Sequence, residues 1–195
     1  MPRFIRKSKE LALKKVIRIY TEGTKTEPNY FGAIRDELRL PEIHIDIQGT
    51  SRSTMSLVDY VICEKESDKE DTEWWVVFDR DDHEHFNASI EKARANGIQV
   101  AYSNECFELW FVLHFEFLQS SIGRDNFPAK LSKLIGQKYG KNTNIYELIK
   151  DKEATAIRNA KRLDVEYDRA NIDQPLARDP STTVCQLVEA LRKLK

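Results

Sequence analysis

Trp74-Trp75-Val76-Val77-Phe78-Asp79-Arg80-Asp81-Asp82 decides the fold: apolar residues run without a polar break into a charged turn. Unbroken aromatic and β-branched residues are expected of a central strand covered by helices on both faces. Short runs of the same kind alternate with longer amphipathic stretches on either side of it. Upstream, Val16 to Thr21 reads as a first strand and Pro28 to Leu38 as a helix with proline near its first turn. His44 to Ile47 then reads as a short second strand, and Thr54 to Glu66 as a helix behind the loop Gly49-Thr50-Ser51-Arg52-Ser53. Downstream, Phe86 to Asn96 reads as a helix stopped at Gly97, and Ile98 to Tyr102 as a fourth strand. This strict alternation predicts an α/β fold, a mostly parallel sheet flanked by helices with right-handed crossovers.

Beyond residue 120 the pattern turns helical. Phe127 to Tyr139, Asn144 to Asp164 and Thr182 to Leu194 are the expected helices, the second carrying Ile145, Leu148, Ile149, Ile157, Ala160 and Leu163 as one stripe. The chain therefore divides into an α/β core with a basic N-terminal arm over residues 1–118 and a mainly helical extension over 119–195. No internal repeat or low-complexity linker interrupts it.

The 195 residues are 41% apolar and 32% charged, enough to enclose a real core. No apolar run approaches the roughly 20 residues of a membrane span. Nor does the start, Met1 to Glu10, continue into a signal peptide, so a cytoplasmic location is expected. Cys63, Cys106 and Cys185 are odd in number and far apart, which suits neither a disulfide framework nor a zinc site. A net charge of −1 argues against coating nucleic acid by bulk attraction, but allows a small basic groove beside an acidic site. Arg3, Arg6, Lys7, Lys9, Lys14 and Lys15 form a basic arm suited to phosphate or merely to solubility, and residues 64–73 an acidic run that reads as a solvated helix end.

Ligands of open parallel sheets collect at the carboxyl ends of the strands. Two acidic groups fall there: Glu22 to Glu27 after strand one, and Asp79 to His83 after strand three. Asp-x-Asp at the end of an apolar strand aims two carboxylates into one crevice. Their repulsion is relieved by a divalent cation, and Mg²⁺ or Mn²⁺ prefers such all-oxygen sites. An Asp-rich turn that ends a strand and caps a helix is the plainer reading. Glu22, a poor turn former just before glycine, weights the choice toward metal: if strands one and three are neighbours, Glu22, Asp79 and Asp81 converge.

Four blocks carry a resemblance. Ile-Tyr-Thr-Glu-Gly-Thr-Lys-Thr-Glu-Pro-Asn-Tyr-Phe (19–31), Val-Val-Phe-Asp-Arg-Asp-Asp (76–82), Ser-Asn-Glu-Cys-Phe-Glu-Leu-Trp-Phe-Val-Leu-His-Phe (103–115) and Pro-Ser-Thr-Thr-Val (180–184) together resemble the RloB-like family, over nearly the whole chain. Glu-Gly after strand one and Asp-x-Asp after strand three also look like the Toprim domain of topoisomerases, primases and overcoming-lysogenization-defect nucleases. The resemblance implies a Toprim-like nuclease of a phage-defence or abortive-infection system, often encoded beside a separate ATPase subunit. It places the metal triad on Glu22, Asp79 and Asp81, with Asp82 as a further ligand. Glu105 stands where the pattern has proline, and Asp179 where it has asparagine.

The expected chemistry is metal-assisted hydrolysis of a phosphodiester in DNA or RNA. Glu22 serves as ligand or as general base or acid. Lys25, at the mouth of a helix, is a candidate to neutralise substrate phosphate, and the 49–53 loop a weaker second cradle. Arg80 is expected in a structural ion pair. Glu108, in a segment apolar enough to be a buried helix, must find a partner or a cation and is a further metal candidate. His114 is expected as a core histidine, and His83 and His85 as loop residues placed to touch the site. Trp74, Trp75, Trp110, Tyr30 and Phe31 read as core. Two alternatives stand beside this reading. A haloacid-dehalogenase-type phosphatase also uses Asp-x-Asp, but after its first strand. An inactive Toprim-like module would bind nucleic acid or a partner without cleaving.

Overall fold

A computed structural model of the chain describes residues 15–80 and 85–195. Asp81, Asp82, His83 and all of the basic arm except Lys15 lie outside the described residues. The apolar run forms β3 (Thr72–Asp79), which sits between β1 (Lys15–Thr21) and β4 (Gln99–Asn104) in a five-stranded sheet. β2 (Ile43–Gly49) pairs on the far side of β1, and β5 (Ser181–Thr182) on the far side of β4, giving the order β2-β1-β3-β4-β5. The first four strands are parallel and β5 is antiparallel. The predicted α/β class, mostly parallel sheet and C-terminal helical part are all present.

The side chains of β3 alternate between two cores, as a central strand requires. Trp75 and Val77 join one buried cluster with α1 (Thr26–Leu38), α4 (Glu108–Leu113), α5 (Phe127–Ile135), α7 (Glu153–Arg169) and α8 (Val184–Arg192). Trp74, Val76 and Phe78 join the other with α2 (Thr54–Ser67) and α3 (Phe86–Ala95). α1 leads from β1 outward to β2 on one face, whereas α2 and α3 lead the opposite way on the other face. Opposite directions on opposite faces preserve one crossover hand. Strand order thus reverses between β1 and β3, the switch point at whose carboxyl side such sheets hold ligands.

The helical part departs from expectation in three places. The helix expected over 127–139 ends at Ile135, where Gly136 takes φ 71° and caps it. The single helix expected over 144–164 is two, α6 (Ile145–Ile149) and α7, separated by a 3₁₀ turn at Lys150–Lys152; Leu148 of the predicted stripe is exposed. Thr182, expected to open the last helix, instead joins Ser181 in β5, the two pairing with Ser103 and Asn104 respectively. Among the described residues no helix is long and apolar enough to cross a membrane.

Candidate functional site

The floor of the site is made by the ends of β1 and β3. The Glu22 amide extends the β1–β3 ladder by donating to the Val77 carbonyl at 2.9 Å. Thr50 and Ser51 donate their amides to the carbonyls of Thr21 and Glu22 at 2.9 and 3.1 Å. The 49–53 loop therefore braces the carboxylate-bearing turn, and those two amides, considered above for a phosphate cradle, are committed to it. The approach is tight at Gly49, where an added Cβ would lie 2.7 Å from Thr24 Cα, whereas one on Gly23 would meet only the Glu27 carboxylate, a side chain that can move.

Glu22, Asp79, Glu108 and Lys25 all line one cavity of about 660 Å³. The structure thus brings these four predicted site residues together, whereas His85 and the 49–53 loop do not line the cavity. It adds Glu27, on the first turn of α1 and only 6% exposed, and two cations from the helical part, Arg124 and Lys141. The Thr54 hydroxyl donates to Glu22 Oε2 at 3.2 Å, and the Tyr139 hydroxyl to Glu108 Oε1 at 3.0 Å. Lys25 occupies the cap position of α1 and is exposed at the cavity mouth.

The acids are held in an environment hostile to their charge. Burial pushes the Glu22 carboxyl up to about 7, with Glu27 adding to the rise against the Thr54 hydroxyl, Arg124 and the Asp79 amide. Burial likewise pushes Asp79 well above the carboxylate range, aided by Glu27 and Glu108 and opposed by Arg124. Glu27 is raised by burial and by Glu108, and lowered by its own amide, Lys141 and Arg124. Arg124 Nη2 approaches Asp79 Oδ2 at 3.5 Å, while Asp79 Oδ1 is buried with no hydrogen-bond partner among the described residues.

An orphaned buried carboxylate oxygen and two adjacent acids with raised proton affinity fit a divalent cation held by Glu22 and Asp79. Among the described residues, no three His, Cys, Asp or Glu side chains are gathered closely enough to form a complete metal cage. The other two expected ligands, Asp81 and Asp82, lie outside those residues.

Other expectations resolve into structure. Arg80 donates to Asp179 Oδ2 and Asn104 Oδ1, each at 3.1 Å, and its amide donates to the Ser103 carbonyl at 2.8 Å. It is a structural ion pair. His114 is 2% exposed; its Nδ1 donates to the Trp110 carbonyl at 2.8 Å, and burial lowers its pKa to about 4. His85 is exposed at the start of α3. Trp74, Trp75, Trp110, Tyr30 and Phe31 are buried. Glu105 accepts from the Ser121 hydroxyl, and its peptide bond with Asn104 is cis.

Glu27 stands in a stretch already singled out for its acids, but a Glu in a first helical turn reads as ordinary dipole compensation. Arg124 and Lys141 belong to polar connections with no periodicity to mark them. No curated protein and no solved structure matches the chain. The family model of RloB-like proteins matches residues 17–191, from β1 to the last turn of α8. That match spans both the carboxylate-bearing strands and the helical part that closes over them, and the chain belongs to the RloB-like family.

Proposed function

We propose that this protein is a Mg²⁺- or Mn²⁺-dependent phosphodiesterase acting on nucleic acid, with a Toprim-like core, in a phage-defence or abortive-infection system. One observation carries the chemistry: Glu22 and Asp79 end adjacent strands at the switch point, and Asp79 keeps a buried, unpartnered carboxylate oxygen there. Glu22 and Asp79 would hold the cation, with Asp81 as the expected third ligand and Asp82 and Glu108 as further ligand candidates. Bound there, the cation supplies charge to a non-bridging phosphate oxygen and acidifies a coordinated water. Lys25 neutralises phosphate at the start of α1, with helix-start amides beside it. The Thr54 hydroxyl keeps Glu22 oriented. The defence role, the Toprim-like description and a separate ATPase subunit rest on the family resemblance.

A second reading has an observation of its own. Arg124 already approaches Asp79, and the described residues alone complete no metal cage. A module that binds nucleic acid or a partner without cleaving would look the same. Incubation of plasmid, single-stranded DNA and tRNA with Mg²⁺ or Mn²⁺ separates the two, with and without an ATPase neighbour. Wild type is expected to cut at least one, and Glu22→Gln and Asp79→Asn none. Cutting that survives Asp79→Asn would overturn the site, and no cutting by wild type would favour the binding module.

A further inference from the structure

Beside the main cavity lies a smaller one of about 180 Å³, and Thr26 and Lys141 line both. The two differ in kind. Among the described residues, five acids and three basic residues line the larger cavity, whereas Lys141 is the single acidic or basic residue of the smaller one. Tyr139 stands between them: it lines the smaller cavity, and its hydroxyl donates to Glu108 of the larger one at 3.0 Å. Tyr146 lines the smaller cavity too, while its hydroxyl donates to Glu37 and accepts from Arg192 Nη2 at 2.9 Å. Both tyrosines thus spend their hydroxyls on residues outside the smaller cavity, and what they offer it is ring surface. The 140–143 turn is held by its own bonds, the Gly140 amide donating to Thr143 Oγ1 at 2.9 Å and the Thr143 amide to the Gly140 carbonyl at 2.8 Å. Three asparagines on this rim, Asn29, Asn142 and Asn144, are exposed, and among the described residues their side-chain amides make no hydrogen bond. Asn144 even occupies the cap position of α6 without the side-chain bond usual there. A side-chain amide carries a donor and an acceptor side by side, the pairing that reads the edge of a nucleobase, and aromatic rings are the surface on which bases stack. The volume lies below the roughly 300 Å³ at which sites for whole small ligands begin, a size for one ring system without its sugar and phosphate.

We infer that the smaller cavity takes one unpaired base of a bound strand, with Tyr139 and Tyr146 supplying ring surface and Asn29, Asn142 and Asn144 reading its edge. The inference rests on the nucleic-acid reading above and deepens it, because it says which part of the strand is recognised. The neutral, hydrogen-bonding ring goes where acids are absent, and its backbone passes into the larger cavity between Thr26 and Lys141. A base inside a duplex has its edge paired and its faces stacked, so it enters only from a single strand or after leaving the helix. The expected substrate is single-stranded or locally opened, with a preference among bases at one position.

The test measures binding apart from cleavage. Fluorescent single-stranded 12-mers of adenine, thymine or cytosine, and an abasic strand of the same length and charge, are titrated with protein in EDTA and again with Ca²⁺. Wild type is expected to bind its preferred base-bearing strand roughly tenfold more tightly than the abasic one, the effect of a stacked base. Asn29→Ala, Asn142→Ala and Asn144→Ala should each narrow that ratio several-fold and flatten the preference among bases, with affinity for the abasic strand unchanged. Thermal unfolding of the three variants should match wild type, because no bond within the fold is lost. Ribose versions of the same strands are run side by side, and the tighter series identifies whether the base comes from DNA or RNA. If all three variants keep the wild-type ratio and base preference while Mn²⁺-dependent cutting persists, the base site is refuted and the nuclease reading stands. If a mononucleotide competes as well as a 12-mer, the occupant is a free nucleotide and the inference is overturned. If wild type binds no strand, with or without bases, the nucleic-acid reading falls and the base site falls with it.

Discussion

Thr54, the residue that opens α2, donates its hydroxyl to Glu22, the residue that follows β1, across 3.2 Å. A helix on one face of the sheet thereby fixes a carboxylate that faces the cavity. The bond favours the charged form of Glu22. Thr54→Val should raise the Glu22 pKa further above its value of about 7. A metal needs the deprotonated carboxylate, so Mn²⁺ binding followed by calorimetry should require higher pH in the variant than in wild type.

The metal-free protein should lose stability as pH rises through the Glu22 transition. Its carboxyl binds a proton more tightly in the folded chain than in the unfolded one. The contribution is therefore full below the ordinary value of 4.5 and is lost as pH passes about 7. Glu22→Gln removes this dependence. In EDTA the variant should be more stable than wild type at pH 8, by about 1 kcal/mol, with a smaller difference at pH 5. Urea unfolding at the two pH values measures it.

Metal should reverse that penalty. At a hundredfold excess over its dissociation constant, Mn²⁺ should stabilise wild type by about 2.7 kcal/mol. Asp79→Asn, which keeps the shape and deletes the charge, should show no such gain in thermal unfolding, while remaining at least as stable as wild type in EDTA.

Three glycines separate space from flexibility. Gly32, inside α1, has nothing within 4 Å of an added Cβ, so Gly32→Ala should stabilise by about 0.5–1 kcal/mol. Gly49→Ala drives a methyl group into the backbone of Gly23 and Thr24 and should destabilise by about 2 kcal/mol or more. Gly23→Ala meets a side chain instead, the Glu27 carboxylate. It should cost less stability than Gly49→Ala while disturbing Mn²⁺ binding.

Arg80 ties β3 to the segment before β5 through Asp179. Asp179→Asn keeps an acceptor for Arg80 and removes repulsion from Glu105, which raises the Asp179 pKa after burial itself. Its stability should lie within about 0.5 kcal/mol of wild type. Arg80→Ala strands the Asp179 carboxylate and Asn104 Oδ1 and should cost about 1–3 kcal/mol. Chemical denaturation of both variants checks the contrast.

Much of this could be read from residues alone, where a physical rule acts locally. The unbroken apolar run of 74–78 demanded a central strand, and strand ends in parallel sheets demanded attention to Glu22 and Asp79. β5 escaped because two residues show no alternation; only their antiparallel partners on β4 define them. The break between α6 and α7 escaped because Lys150-Asp151-Lys152 contains neither proline nor glycine. Arg124 and Lys141 escaped for a related reason. Their place depends on how the helical part folds back over the sheet, and isolated basic residues in polar connections carry no mark of that.

The site draws Glu22 and Asp79 from strand ends, and Arg124, Asp125 and Lys141 from the connections around α5. These two inheritances respond differently to change. A substitution at Glu22 or Asp79 changes a buried carboxyl at the strand ends, whereas the backbone ladder beneath it stays. The segments on either side of α5 are mostly exposed, and residues there can be exchanged or lengthened with little effect on the strands. The rim of this cavity can therefore change in shape and charge while the carboxylates at its base keep their places.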